Sequence, residues 1–288
     1  MQAIANWLVA RPQNAVMALA VTVLMPAPQM FSGATIVLVL LARGTRFATL
    51  TMLLAGGLLA VISLILGGSL QSVASLAAGS WLPPLLLASV MLAARSLVLT
   101  MQGSVIAAVA GLLLFQVLVP DATAFWQPYL DMMEEFIREN GLELNTELLS
   151  ADVMTVSAVL AFWMLYAGSL LIGNALYREL PGDLPNFGEF RNLDFGRVIA
   201  ISMALVALLA LIFGAVWMSN IAFIVFVMFM MQGLALVHWL YSEGRLPGVA
   251  VVAVYCLLPL LQVLLVLVLA IIGYTDAWTR FRHRIGKT

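Results

Sequence analysis

Long apolar runs alternate with short polar connectors along almost all of the 288-residue chain. The longest run extends unbroken from Val249 to Gly273 and is followed at once by a basic tail, 274–288. A run of this length predicts a helix that crosses the bilayer, because about 20 residues span the hydrocarbon core. The whole pattern predicts an all-α, polytopic transmembrane bundle of about eight to nine membrane segments. We expect one integral membrane domain over 1–288.

Composition supports membrane insertion. Hydrophobic residues make up 64% of the chain and charged residues 9%, whereas soluble domains have about 25% charged residues. A formal net charge of −1 gives no reason to expect a nucleic-acid partner. Cys256 is the single cysteine and the two histidines, His238 and His283, are far apart, so we expect no disulfide, metal site or cofactor. We predict a multi-pass protein of the bacterial cytoplasmic (inner) membrane, with the lipid bilayer as its main partner.

Near the N-terminus, the residues PAPQ from Pro26 to Gln29 separate two apolar pieces, 14–25 and 30–42. Each piece reaches only about 18 Å as a helix, which is short of a full crossing. Two interpretations stay open. The break is either a surface loop between two short spans or an irregular segment at membrane depth, where Pro26, Pro28 and Gln29 would line a ligand cavity.

The central part of the chain carries a single charge, Arg95, within the apolar run 85–119. An unpaired arginine at the bilayer centre costs at least about 2.5–3.5 kcal/mol, so we predict a tight hairpin at 94–96. A functional intramembrane arginine is the alternative. Before this run, Pro83 and Pro84 predict a new helix start, because proline suits the first helical turn.

The hydrophilic insertion 120–152 carries eight acidic residues and one basic residue, Arg138. Apolar residues recur in it at helical spacing, which predicts an amphipathic helix: Trp126, Leu130, Met133 and Ile137. Pro128 is expected in its first turn and Asn140-Gly141 at its end. Membrane-surface helices are usually basic, so we expect a lid or brace packed over the other helices. A simple structured external loop is the alternative.

Two late spans, 198–217 and 221–241, are predicted to be joined by a hairpin at 218–220. Gln232 lies inside the second span and, seven residues from Trp239, shares a face with it. This face could line a ligand site that has an amide and an aromatic wall. Equally, a glutamine in a membrane helix commonly holds two helices together.

In the tail, Asp276 and Arg280 are four residues apart and are predicted to form an ion pair that supports a short helix, with Trp278 as an interfacial anchor. The densest basic cluster of the chain lies here: Arg280, Arg282, Arg284 and Lys287. Positive charge favours the cytoplasmic side. Nine crossings from a cytoplasmic N-terminus would place this tail outside, so the number of crossings stays open.

Four segments carry a family resemblance: WLPPLLLASVMLAARSLVL (81–99), VPDATAFW (119–126), NIAFIVFVMFMMQGLALVHWLYSEG (220–244) and IGYTDAWTRFRHR (272–284). With the PAP-interrupted start, they resemble the YybS-like family of bacterial integral membrane proteins. The Gln-Gly pair and the Asp-x-Trp-x-x-x-Arg tail are the most specific features. The family is distantly similar to the substrate-binding components of energy-coupling-factor transporters. The resemblance implies a helical fold with a solute pocket within the membrane.

The chain has no His-Glu-x-x-His, Gly-x-x-x-x-Gly-Lys or Cys-x-x-Cys motif, so we do not expect an enzyme. We predict a protein that binds or helps to transport a small, uncharged or amphiphilic solute. The alternative is a membrane scaffold or assembly factor that acts through a membrane-protein partner.

Overall fold

The computed structural model of the protein describes residues 1–141 and 150–282. Within these ranges the regular structure is helical, with one 3₁₀ turn at Phe190–Asn192 and no strand. The α-helices are α1 (Gln2–Ala10), α2 (Pro12–Thr22), α3 (Pro28–Arg43), α4 (Thr45–Ile65), α5 (Leu70–Ala94), α6 (Leu97–Leu118), α7 (Ala122–Glu139), α8 (Ala151–Arg178), α9 (Gly196–Phe213), α10 (Val216–Ser242), α11 (Gly248–Leu257) and α12 (Gln262–Thr279).

Seven of the described helices are long and apolar enough to cross a membrane: α4, α5, α6, α8, α9, α10 and α12. Two shorter helices, α3 and α11, are also apolar. The predicted all-α membrane fold is confirmed, and the protein is a multi-pass membrane protein. The exact number of crossings stays a prediction.

The chain groups into two compact units, which are described separately. The first unit comprises Met1–Met101 and Met164–Phe190, and the second comprises Gln102–Trp163 and Arg191–Thr288. In the first unit α3 is the most enclosed helix, since every residue from Ser32 to Leu41 is buried, and it packs mainly against α5. In the second unit α10 takes the central position and packs against α12 and α9.

Two of the predicted interruptions between helices are confirmed. Helix α5 ends at Ala94 and α6 begins at Leu97, with Arg95 between them in the left-handed conformation (φ 51°). The Arg95 side chain is exposed. The proline-rich break is also present, because α3 begins at Pro28 after a left-handed Ala27.

The predicted helix start at Pro83-Pro84 is wrong. Both prolines lie inside the continuous helix α5, where Pro83 cannot donate the backbone hydrogen bond that the Gly79 carbonyl would otherwise accept. The Tyr166 hydroxyl donates to that carbonyl instead, at 2.8 Å. A neighbouring side chain therefore satisfies the backbone group that proline leaves free, which is how membrane helices tolerate proline.

Two other predicted boundaries are displaced. Pro128 lies inside α7 rather than in its first turn, because α7 begins at Ala122 with the Asp121 carboxylate accepting from the Ala124 N–H. The turn predicted at 218–220 lies earlier in the chain. Gly214 ends α9 in a left-handed conformation that glycine adopts without strain, and α10 begins at Val216.

The predicted continuous terminal span over 249–273 is also wrong. The apolar run forms two helices, α11 and α12, with a break between Leu257 and Gln262. Pro259 lies in this break and can neither donate the helical hydrogen bond nor fit its ring beside the carbonyl four residues earlier. Hydrophobicity alone cannot reveal this interruption.

Candidate functional site

Helices α10 and α12 approach each other most closely at two glycines. A Cβ atom on Gly233 would clash with the backbone carbonyl of Leu269, and a Cβ on Gly273 would clash with that of Phe229. Only glycine allows the two backbones to lie so close. This contact fixes the position of the residues that precede Gly233 and follow Gly273.

Gln232, next to this glycine contact, is completely buried. Its Oε1 accepts a hydrogen bond from the Phe195 N–H at 2.8 Å, and its Nε2 donates to Asp276 Oδ2 at 3.0 Å. The amide thus joins α10 to α12 and to the segment before α9. Both ends of the amide are engaged by the protein, which favours the interpretation that Gln232 holds helices together.

Asp276 forms a buried ion pair with Arg282. Arg282 Nη2 lies 2.7 Å from Asp276 Oδ2, and the two side chains are 12% and 3% exposed, respectively. The guanidinium also donates to the carbonyls of Arg191 and Leu193, at 2.9 and 2.6 Å. Burying a carboxylate requires such compensation, because an unpaired charge is costly away from water. Arg282 therefore ties the end of α12 to the segment before α9.

The predicted pairing of Asp276 with Arg280 is corrected by this geometry. Arg280 follows α12 in a left-handed conformation (φ 50°, ψ 47°), so the helix does not continue and the spacing of four residues no longer places Arg280 beside Asp276. The reversal of the chain brings Arg282 back to the carboxylate instead. Trp278 is exposed, makes an edge-to-face contact with Tyr274, and accepts a hydrogen bond from Arg197 through its carbonyl.

The two oxygens of Asp276 have different environments. Oδ2 accepts from Gln232 Nε2 and from Arg282 Nε and Nη2. Oδ1 is buried, and no residue in the described part of the chain donates to it. Buried polar atoms normally have a partner, so an unpartnered carboxylate oxygen is unusual.

Asp276 lines a cavity of ≈ 280 Å³ within the second unit. The lining residues come from α10, α12 and the segments next to α9 and α12: Asn192, Asp194, Trp239, Asp276, Arg280 and Arg282. The cavity wall thus combines two carboxylates, two guanidinium groups, one amide and one indole ring. A carboxylate accepts hydrogen bonds from an amine, a guanidinium donates to an anionic group, and an indole face attracts cations.

Two of the lining residues already form hydrogen bonds within the protein. Asp194 Oδ1 accepts from the Gly196 N–H at 2.8 Å, and Arg282 is engaged as described. Arg280 is exposed and Trp239 is half-buried. Arg280 and Trp239 are therefore the accessible groups best placed to contact a small molecule, beside the buried carboxylate of Asp276.

The structure divides the predicted ligand residues between the two units. Trp239 lines the cavity, and Gln232 supports it through Asp276. Pro26, Pro28 and Gln29 belong to the first unit, where Pro26 is exposed and the other two are half-buried. Their role in ligand binding stays a prediction.

Sequence reasoning did not identify Asn192 and Asp194 as site residues. Both lie in a polar loop, where neither spacing nor hydrophobic pattern distinguishes them from other solvated residues. Arg282 was available as the last residue of the Asp-x-Trp-x-x-x-Arg segment, but only the chain reversal at Arg280 reveals that it is the partner of Asp276.

His238 lies next to the cavity residue Trp239 in sequence and interacts with α11. Its Nε2 is 2.8 Å from the Tyr255 hydroxyl, and the two rings are in edge-to-face contact. The interaction links α10 to the helix that precedes the Pro259 break. It gives His238 a structural role in packing α11.

Comparisons of the chain with protein-family profiles, curated proteins and solved structures found no match in any of the three. The resemblance to the YybS-like family stays a prediction. The functional argument therefore depends on the residues and geometry of the cavity.

Proposed function

We propose that this protein binds a small solute in the cavity around Asp276, as part of solute uptake or transfer across a bacterial cytoplasmic membrane. The observation that carries the proposal is that Asp276, whose Oδ1 atom is buried and has no donor in the described part of the chain, lines this cavity. A ligand that donates a hydrogen bond to this oxygen would offset the cost of burying it.

The lining favours a zwitterionic solute. A cationic amine suits the Asp276 carboxylate and the indole of Trp239, and an anionic group suits the guanidinium of Arg280. Such a molecule has no net charge, in agreement with the expectation of an uncharged or amphiphilic ligand. The cavity volume of ≈ 280 Å³ is close to the lower end of the usual range for small-molecule sites, about 300–1,000 Å³. An amino acid or a small betaine suits this size.

The test is purification of the protein in mild detergent, followed by mass spectrometry of the bound proteins and small molecules. We expect a zwitterionic compound to copurify with the unmodified protein. The same compound should be depleted from Arg280→Gln and Trp239→Leu, because both changes alter the cavity wall and leave the Gln232–Asp276–Arg282 network in place.

Arg95→Gln serves as a matched control, since Arg95 is exposed in a turn of the first unit. It should retain the compound at the level of the unmodified protein. Recovery of a stoichiometric protein partner without a small molecule would instead support the scaffold or assembly-factor alternative.

A further inference from the structure

The amphipathic helix α7 has an apolar side that the described part of the protein leaves uncovered. Four side chains along this side are 45–65% exposed and follow one another at spacings of four and three residues: Phe125, Tyr129, Met132 and Phe136. At 3.6 residues per turn, these positions form one stripe along the helix. We name it the α7 apolar stripe.

Helix α7 begins next to the end of a membrane-crossing helix. Helix α6 has 22 residues and is therefore about 33 Å long, close to the thickness of the hydrocarbon core. It ends at Leu118, and α7 begins at Ala122. The start of α7 must therefore lie near the membrane boundary.

Aromatic contacts attach the first turns of α7 to the end of α6, near the membrane boundary. Phe115 of α6 contacts Phe125 and Trp126, with ring centroids 5.3 and 6.2 Å apart. The indole N–H of Trp126 donates to Thr155 Oγ1 near the start of α8, at 2.8 Å. The start of α7 is thus attached to the ends of two candidate membrane spans, and aromatic residues commonly occupy this interfacial region.

The remaining sides of α7 are either packed against the protein or charged. Leu130 is buried and Ile137 is half-buried, so one flank packs against the protein. Asp131, Glu134 and Arg138 occupy the side opposite the apolar stripe, and Glu135 and Glu139 lie between that side and the stripe. Their net charge of −3 is unfavourable close to an anionic lipid surface, and water is their natural surrounding.

We propose that α7 lies along the membrane surface and inserts its apolar stripe into the boundary between lipid headgroups and acyl chains. The last turns of α6, three residues before α7, also expose apolar side chains: Leu114, Val117 and Leu118. A helix that projected into water would leave four large apolar side chains exposed along its length. In this proposal α7 is an interfacial anchor, in place of the predicted lid or brace over the other helices.

The test uses the full chain in phosphatidylcholine vesicles, with spin labels on single cysteines in a Cys256→Ser background. The labels are placed at Met132→Cys and Phe136→Cys on the stripe. Glu134→Cys is the matched control, because it lies two residues from Phe136 but about 160° around the helix. The measurement is the collision rate of each label with oxygen, which concentrates in lipid, relative to a water-soluble nickel chelate.

We expect the oxygen-to-nickel collision ratio to be severalfold higher at positions 132 and 136 than at 134. The additional change Phe136→Glu should lower the ratio at position 132, since it places a charge in the stripe. Equal ratios at 132, 134 and 136 would overturn the proposal and show a helix in water. If neither oxygen nor the nickel chelate collides with the labels at 132 and 136, the proposal is overturned, because the stripe is then covered by protein.

Discussion

Helices α3 and α10 are the most enclosed helices of their respective units, but they bury polar groups in different ways. In the first unit, Ser32 of α3 accepts from the Trp81 indole N–H at 2.6 Å, and the Thr35 hydroxyl donates to the Phe31 carbonyl. These are neutral groups, one bonded to the neighbouring helix α5 and one to its own helix. In the second unit, Gln232 of α10 joins a buried ion pair that reaches α12 and the loop before α9.

The difference indicates where a ligand site is to be sought. Neutral hydroxyl groups that are satisfied by an indole or by their own helix stabilise packing at little cost. A buried carboxylate costs much more, and replacing an ion pair with apolar residues often increases stability. The ion pair and the unpartnered oxygen of Asp276 are thus poorly explained by stability alone, and the proposed ligand site would account for both.

The largest effect is expected when the ion pair loses one partner. Arg282→Met leaves Asp276 buried without its counterion, and we expect a loss of about 3–5 kcal/mol in the free energy of unfolding. The measurement is thermal or denaturant unfolding of the purified protein in detergent. The double change Asp276→Leu with Arg282→Met should recover most of this loss, because it removes both charges. If the single change has no effect, the buried ion pair is not as the structure describes it.

A slightly smaller effect is expected at the contact between α10 and α12. Gly233→Ala forces the two backbones apart, since the new methyl group meets the Leu269 carbonyl, and we expect a loss of about 3 kcal/mol. Gly111→Ala is the matched control, because a Cβ at Gly111 meets no atom within 4 Å. It should be neutral or stabilising by up to about 1 kcal/mol. Equal unfolding temperatures for the two variants would contradict the close approach.

The corresponding test in the first unit is a single neutral hydrogen bond. Ser32→Ala leaves the Trp81 indole N–H buried without an acceptor, and we expect a loss of about 1–3 kcal/mol in unfolding free energy. Ser75→Ala, at an exposed position on α5, should change stability much less. If Ser32→Ala loses as much unfolding free energy as Arg282→Met, the proposed difference between the two units is contradicted.

The smallest effect is expected at Arg95. Because Arg95 adopts a left-handed conformation in an exposed turn, Arg95→Gly should stabilise the protein by about 1 kcal/mol or less. Unfolding in detergent again provides the measurement. A marked loss of stability would instead support the alternative of a functional arginine at this position.

The sequence predicted the fold well where polarity marks the boundaries. Arg95 revealed the turn between α5 and α6 because a charge is costly inside the membrane, and the break before Pro28 was visible from its prolines. A helix start was predicted at Pro83-Pro84 and no break at Pro259, and both predictions were wrong for the same physical reason. Whether proline ends a membrane helix depends on neighbours such as Tyr166, and sequence order does not show which side chain will be adjacent.

The site was only partly predictable. Gln232 and Trp239 stood out because they are an amide and an aromatic residue on one face of an apolar helix. The partnership of Asp276 with Arg282 depends on a left-handed residue at Arg280, which no helical periodicity predicts. Asp194 comes from a loop that only tertiary folding brings to the cavity wall.

The most direct test of the central proposal is a ligand-dependent shift in unfolding temperature. Small zwitterions, simple amines and simple carboxylates are compared at equal concentrations with the unmodified protein and with Arg280→Gln. We expect at least one zwitterion to raise the unfolding temperature of the unmodified protein, by a stabilisation of about 2.7 kcal/mol at 100 times its Kd, and to have a much smaller effect on Arg280→Gln. If no zwitterion stabilises the unmodified protein, or if Arg280→Gln responds equally, the cavity at Asp276 is not the proposed solute site.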